Sequence, residues 1–142
     1  MRNPGITLPE FPHFPEHAHQ WDSVRVGVLG ITVRATLDFD PDTSPEDQFD
    51  PELGSEHGEQ DQAIIKSWQD GEWWYGNIIL HATIPVRYGR TLTLPHLASL
   101  WAIDVNFPER FREPGTRPNA YLKEVADQLL PEALVKLHAD LA

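Results

Sequence analysis

The chain contains no cysteine. That absence removes disulfide bridges, thiolate metal sites and cysteine nucleophiles together, and it suits a reducing compartment. Long hydrophobic runs are missing as well. The apolar stretches break off within a few residues, far short of the ~20 needed to span a bilayer. Met1-Arg2-Asn3-Pro4-Gly5 is followed by no apolar run of the length a signal peptide uses. A soluble, cytoplasmic protein without membrane contact is the expectation. Catalytic signatures are absent too: there is no G-x-S-x-G elbow, no phosphate-binding glycine loop and no H-E-x-x-H pair. Ser99, His81 and Asp104 are the makings of a triad, but any chain of this size offers similar sets. The expected protein is not an enzyme and uses no cofactor.

Basic residues are scarce, 11 Lys and Arg against 22 Asp and Glu, for a net charge of −11. The imbalance is local. Residues 38–61 hold ten acids and no Lys or Arg: Asp38, Asp40, Asp42, Glu46, Asp47, Asp50, Glu52, Glu56, Glu59 and Asp61. The rest of the chain is therefore close to neutral. Such a segment repels free nucleic acid and anionic membrane and attracts basic surfaces. The plainer alternative is a solvated loop that aids solubility. Low in hydrophobes and interrupted by Pro41, Pro45 and Pro51, the segment buries too little to order itself, and mobility over residues 39–58 is expected.

At 142 residues the chain fits one domain. Residues 1–22 read as an extended arm, because Pro4, Pro9, Pro12 and Pro15 exclude a helix or a central strand. Ile6, Leu8, Phe11, Phe14 and Trp21 are its apolar anchors. Residues 23–142 read as a single α+β domain containing the acidic loop at 38–61. Within it, residues 23–37 form a β-branched strand whose hydrophobic parity switches near Gly27 and Gly30, which points to a bulge. A short helix is expected around Glu59, carrying Ala63, Ile64, Ile65 and Trp68 and ending at Gly71.

Residues 72–87 alternate with period two. Trp74, Gly76, Ile78, Leu80, Ala82, Ile84 and Val86 share the core side, and Trp73, Tyr75, Asn77, Ile79, His81 and Thr83 share the other. Residues 91–105 return as one strand or as two pieces broken at Pro95, with Trp101 in the core. A closing helix starts near Asn119 as cap, with a stripe of Leu122, Val125, Ala126, Leu129, Ala133, Leu134, Leu137 and Leu141. Pro131 either kinks that helix or starts a second. The fold expected is α+β, an antiparallel sheet of three or four strands packed on a C-terminal helix.

Two aromatics stand out on the side away from the core, Trp73 and Tyr75. Such a pair suits an interface, since Trp and Tyr are enriched at binding hot spots. The competing reading has the arm cover them through Phe11, Phe14 or Trp21. His13, His17 and His19 have a spacing that metal sites use, but a proline-rich arm lacks the supporting scaffold, so no metal is expected. Asp38-Phe39-Asp40-Pro41-Asp42 starts like a calcium loop and then departs from it at Thr43 and Phe49. Arg87, Arg90, Arg110, Arg112 and Arg117 form the one basic grouping. It can take phosphate, or pair with the acidic loop within the molecule or across a dimer.

With these residues in view, the second half resembles a group of small acidic proteins encoded by bacterial phages and plasmids. The resemblance rests on Asp70-Gly71-Glu72-Trp73-Trp74-Tyr75-Gly76, on Ala98-Ser99-Leu100-Trp101-Ala102-Ile103-Asp104 and on Tyr121-Leu122-Lys123-Glu124-Val125-Ala126, about half the chain. Ala102 and Asp104 stand where that group often has Gly and Glu. The group has no established activity, so no functional residue carries over. What the resemblance implies is a mobile-element setting, where small acidic proteins act as anti-restriction or anti-CRISPR inhibitors. The expected partner is a basic protein surface, such as a nucleic-acid-binding host complex, with no direct nucleic-acid contact. The expected contacts are Asp38, Asp40, Asp42, Glu46, Asp47, Asp50, Glu52, Glu56, Trp73 and Tyr75. A structural or assembly protein with a passive acidic loop is the alternative, and a small enzyme the more distant one.

Overall fold

Val28 and Ile31, on opposite sides of the parity switch, are cross-strand partners. The computed structural model, which describes residues 7–49, 52 and 58–141, shows a hairpin there instead of a bulge. Strand β1 (Ser23–Val28) pairs antiparallel with β2 (Ile31–Phe39) through a two-residue turn in which Leu29 (φ 52°) and Gly30 (φ 77°) both have positive φ. A two-residue turn shifts parity just as an inserted residue does. The usual signal of such a turn, Asn-Gly or Asp-Gly, is replaced by Leu29-Gly30, with Leu29 92% exposed.

After the acidic segment comes helix α1 (Gly58–Gln69). Gly71 N–H donates to the Trp68 carbonyl and Glu72 N–H to the Ser67 carbonyl, with Gly71 at φ 81°. This is the pattern in which a left-handed glycine ends a helix. Strands β3 (Trp74–Pro85) and β4 (Thr91–Val105) complete a four-stranded antiparallel sheet of order β1-β2-β3-β4. Strand β4 runs unbroken through Pro95, which an edge strand tolerates because its outer N–H needs no partner. It accommodates extra residues relative to β3 at two irregularities, between Leu94 and Ala98 and between Leu100 and Ile103. His96 (φ 54°) and Ala102 (φ 62°) mark them.

Helix α2 (Ala120–Leu141) crosses β3 and β4 and continues through Pro131, which lies on its exposed side. Leu122, Val125, Ala126, Leu129, Leu130, Ala133 and Leu137 meet Val33, Ala35, Leu37, Ile78, Leu80 and Ala82 in one core. Gly76 is needed where it stands: a Cβ there would lie 2.7 Å from Leu37 Cδ1 and 2.9 Å from Val105 Cγ2. Leu80 is fully buried, so Leu80→Ala is expected to lower unfolding free energy by ~2–5 kcal/mol in urea titrations. A change near zero would remove Leu80 from the core.

The described part of the arm belongs to this core. Phe11, Phe14 and Ala18 are each 1% exposed within it, whereas Trp21 is 63% exposed. Prolines leave the arm few backbone donors, and side chains accept from some of those that remain. Phe11 N–H donates to Asp127 Oδ1 at 2.8 Å, and Ala18 N–H to Asn106 Oδ1 at 2.8 Å. Asn119 is not a helix cap of the expected kind. At φ 60° its amide donates to the carbonyls of Pro15 and Glu16, and its oxygen accepts from Asn106 N–H. It ties the arm to the start of α2.

Candidate functional site

The acidic segment leaves the sheet at the end of β2, and its first residues have distinct roles. Asp38 is half-buried and accepts from Gln20 Nε2 and from Phe39 N–H. Asp40, expected on the surface, is 3% exposed. It accepts from Asp42 N–H at 2.9 Å, Thr43 Oγ1 at 2.7 Å and Ala102 N–H at 3.0 Å. Burial alone would raise its carboxyl; the bonds from Thr43, Asp42 and Ala102 outweigh that and hold it below the ordinary carboxylate range. Asp40 therefore fastens the segment to the irregularity of β4. It is an internal staple, not a contact residue.

Asp42, Glu46, Glu52 and Glu59 are exposed. The Asp47 side chain, Asp50 and Glu56 lie outside the described parts, as does much of the stretch expected to be mobile; within that stretch Pro45–Asp47 form a 3-10 turn. Asp38, Asp42, Glu46 and Glu59 have no Lys or Arg partner among the described residues.

Trp73 and Tyr75 are not exposed. Each is 1% exposed, in a second core with Ile64, Trp68, Phe49, Phe107 and Phe111. They do lie on the side away from α2, as alternation requires, but α1 and the Pro45–Asp47 turn fold back over that end. The cover is thus not the arm. Trp73 stacks edge-on against Tyr75 and Phe107, both at 5.0 Å, and its Nε1 donates to Ser67 Oγ at 2.9 Å. Tyr75 hydroxyl donates to Gln48 Oε1 at 3.1 Å. The pair forms the floor on which the acidic segment rests. Asn77 beside it is fully buried with neither side-chain polar atom partnered.

Exposed aromatics at this end are others. Phe39, 47% exposed, and Trp74 lie 6.1 Å apart and line a cleft of about 260 Å³ with His17, His19, Glu72 and Asn106. The cleft opens on the α2 side of the sheet, beside Asp38. Trp101, expected in the core, is 48% exposed because the irregularity of β4 turns it to the other side.

The basic grouping is dispersed. Arg110 makes a two-point ion pair with Glu72, whose carboxyl it holds below the usual range, and Arg117 pairs with Glu16. Arg87 and Arg90 sit at the opposite end of the molecule, in the β3–β4 turn. Beyond the second core no described helix or loop covers the sheet side away from α2. Arg25, Arg34 and His81 stand side by side there across β1, β2 and β3. Burial, and then the Arg34 charge, lower the affinity of His81 for a proton. Ser99 bonds to His96, and His81 bonds to neither Ser99 nor Asp104, so that triad is not assembled. Among the described residues no His, Asp and Glu side chains group as a metal site, and no helix is long and apolar enough to cross a membrane. Compared with protein-family models, curated proteins and solved structures, the chain has no match.

Proposed function

We propose that this chain is a binding protein whose acidic end occupies a basic protein surface of the kind that otherwise holds nucleic acid. In the mobile-element setting suggested by the resemblance above, the partner is a host-defence protein and the effect is inhibition. The observation that carries this reading is that Asp38, Asp42, Glu46 and Glu59 have no Lys or Arg counter-ion among the described residues. The chain has 11 Lys and Arg, and none of those among the described residues pairs with them. The Phe39–Trp74 cleft beside them supplies apolar contact area. Trp73 and Tyr75 support the segment from beneath and do not touch the partner.

The test uses a triple variant, Asp38→Asn, Asp42→Asn and Glu46→Gln, with Asp40 kept. Its melting curve is expected to match the parent. Basic nucleic-acid-binding proteins retained from a bacterial lysate by the parent, and released by competing oligonucleotide, should associate with the variant roughly tenfold more slowly at low salt. The difference should shrink as salt rises, because exposed charges act over ~8 Å at physiological ionic strength. Equal association rates at low salt would reject the reading and leave the segment as a passive solubilising loop.

A further inference from the structure

The uncovered part of the sheet has an arrangement that its own chain does not satisfy. Arg25 is the direct cross-strand partner of Arg34, and Arg34 of His81. Like charges placed opposite one another destabilise a sheet, and a chain with 22 acids leaves this row without a carboxylate partner among the described residues. Arg34 reaches only Ser23 Oγ. Arg87 and Arg90 are likewise without ion pairs, in a turn whose Tyr88 is 94% exposed at φ 63°. The bases with described carboxylate partners are Lys66, Arg110, Arg117, Lys123 and Lys136. Among the described residues, Arg25, Arg34, Arg87 and Arg90 are thus unpaired toward one end of the sheet, and Asp38, Asp42 and Glu46 toward the other.

Within one molecule these two ends cannot meet. From Arg34 to Asp38 along β2 is four residues, about 13 Å of extended chain. Between them lies a neutral row of cross-strand neighbours, Ser23, Thr36, Ile79 and Ser99, all half-buried. The shape follows the charge. α1 and the Pro45–Asp47 turn stand up from the sheet over Tyr75 as a step, and no described residue covers the arginine end.

We propose that this face is a two-fold interface for a second copy of the chain, the step of each copy resting on the arginine floor of the other. An antiparallel two-fold axis through the Thr36–Ile79–Ser99 row brings Arg25 and Arg34 of one copy toward Asp38, Asp42 and Glu46 of its partner, and the reverse contact follows by symmetry. Residues on a two-fold axis meet themselves, so a row without charge belongs there. Each copy carries −11, and the repulsion between copies is screened beyond ~8 Å, whereas the arginine–carboxylate contacts act inside that distance. The Phe39–Trp74 cleft stays open on the other side of the sheet, while Asp38, Asp42 and Glu46 serve either this contact or the basic partner, one at a time.

Charge reversal in sedimentation velocity tests it. The parent should sediment as a dimer, while R25E/R34E and D42K/E46K should each dissociate at least tenfold more readily. An equimolar mixture of the two variants should restore the dimer. In the mixed pair the reversed charges of the two variants face each other with opposite sign, and the remaining contact is the native one. The absence of cysteine gives a second measurement that does not depend on charge. A T36C chain should cross-link to a second copy with a short bis-maleimide that bridges the ~10 Å between packed sheets, and the same substitution with R25E/R34E should not. A monomeric parent, or a dimer that R25E/R34E leaves unchanged, overturns the proposal. A monomeric parent that retains an oligothymidylate probe, with R25E/R34E failing to do so, would assign the arginine floor to a polyanion instead.

Discussion

Trp73→Ala is expected to lower unfolding free energy by ~3–5 kcal/mol, the range for removing a fully buried large aromatic. The indole joins α1, β3 and the loop after β4. It stacks on Tyr75 and Phe107 at 5.0 Å each and bonds through Nε1 to Ser67 Oγ on α1. Its loss opens a cavity and removes the indole donor from Ser67 Oγ, which is 2% exposed and keeps its own bond to the Ile64 carbonyl. Urea titration followed by far-ultraviolet circular dichroism measures the effect. Trp73→Phe keeps a single aromatic ring while removing the indole N–H and part of the bicycle, so a cost smaller than that of Trp73→Ala is expected. If Trp73→Ala leaves stability unchanged and abolishes partner binding, Trp73 is a contact residue and the second core has been misassigned.

Asp40→Ala is the second large effect, on the order of 3 kcal/mol, because a buried carboxylate accepting three hydrogen bonds leaves all three donors unmet when removed. Its consequence is also local. Ala102, in the left-handed region at φ 62°, is held by the bond to Asp40, so hydrogen exchange at residues 100–103 should accelerate. The pH dependence has a fixed sign. Asp40 titrates lower in the folded chain than in the unfolded one, where a carboxyl titrates near ~3.9. Its contribution is complete above that value and is lost as pH falls through the folded value. Asp40→Asn should flatten the stability profile below about pH 4 relative to the parent. An identical acid slope in the two proteins would contradict the assignment.

The main core was legible in the residues. The alternation of Ile78, Leu80 and Ala82, the stripe of Leu122, Val125, Ala126 and Leu129 and the Gly71 stop each follow from a local period or a local turn, and each is found as expected. So was the concentration of acid after β2. Local pattern did not reveal whether a side of the sheet pointing away from that core is covered. Alternation places Trp73 and Tyr75 on the far side, and only the return of α1 and Phe49 over that end makes them a second core. Nor did charge disclose that Asp40 differs from Asp42: the distinction is made by Ala102, 62 residues further along the chain. The Leu29–Gly30 turn escaped because a two-residue reversal and a one-residue bulge shift parity identically, and pairing between β1 and β2 alone separates them. Sequence periodicity thus determined which side of each element is apolar. Contacts between residues distant in the chain decided what lies against each side, and with it which carboxylates and arginines remain free to meet another molecule.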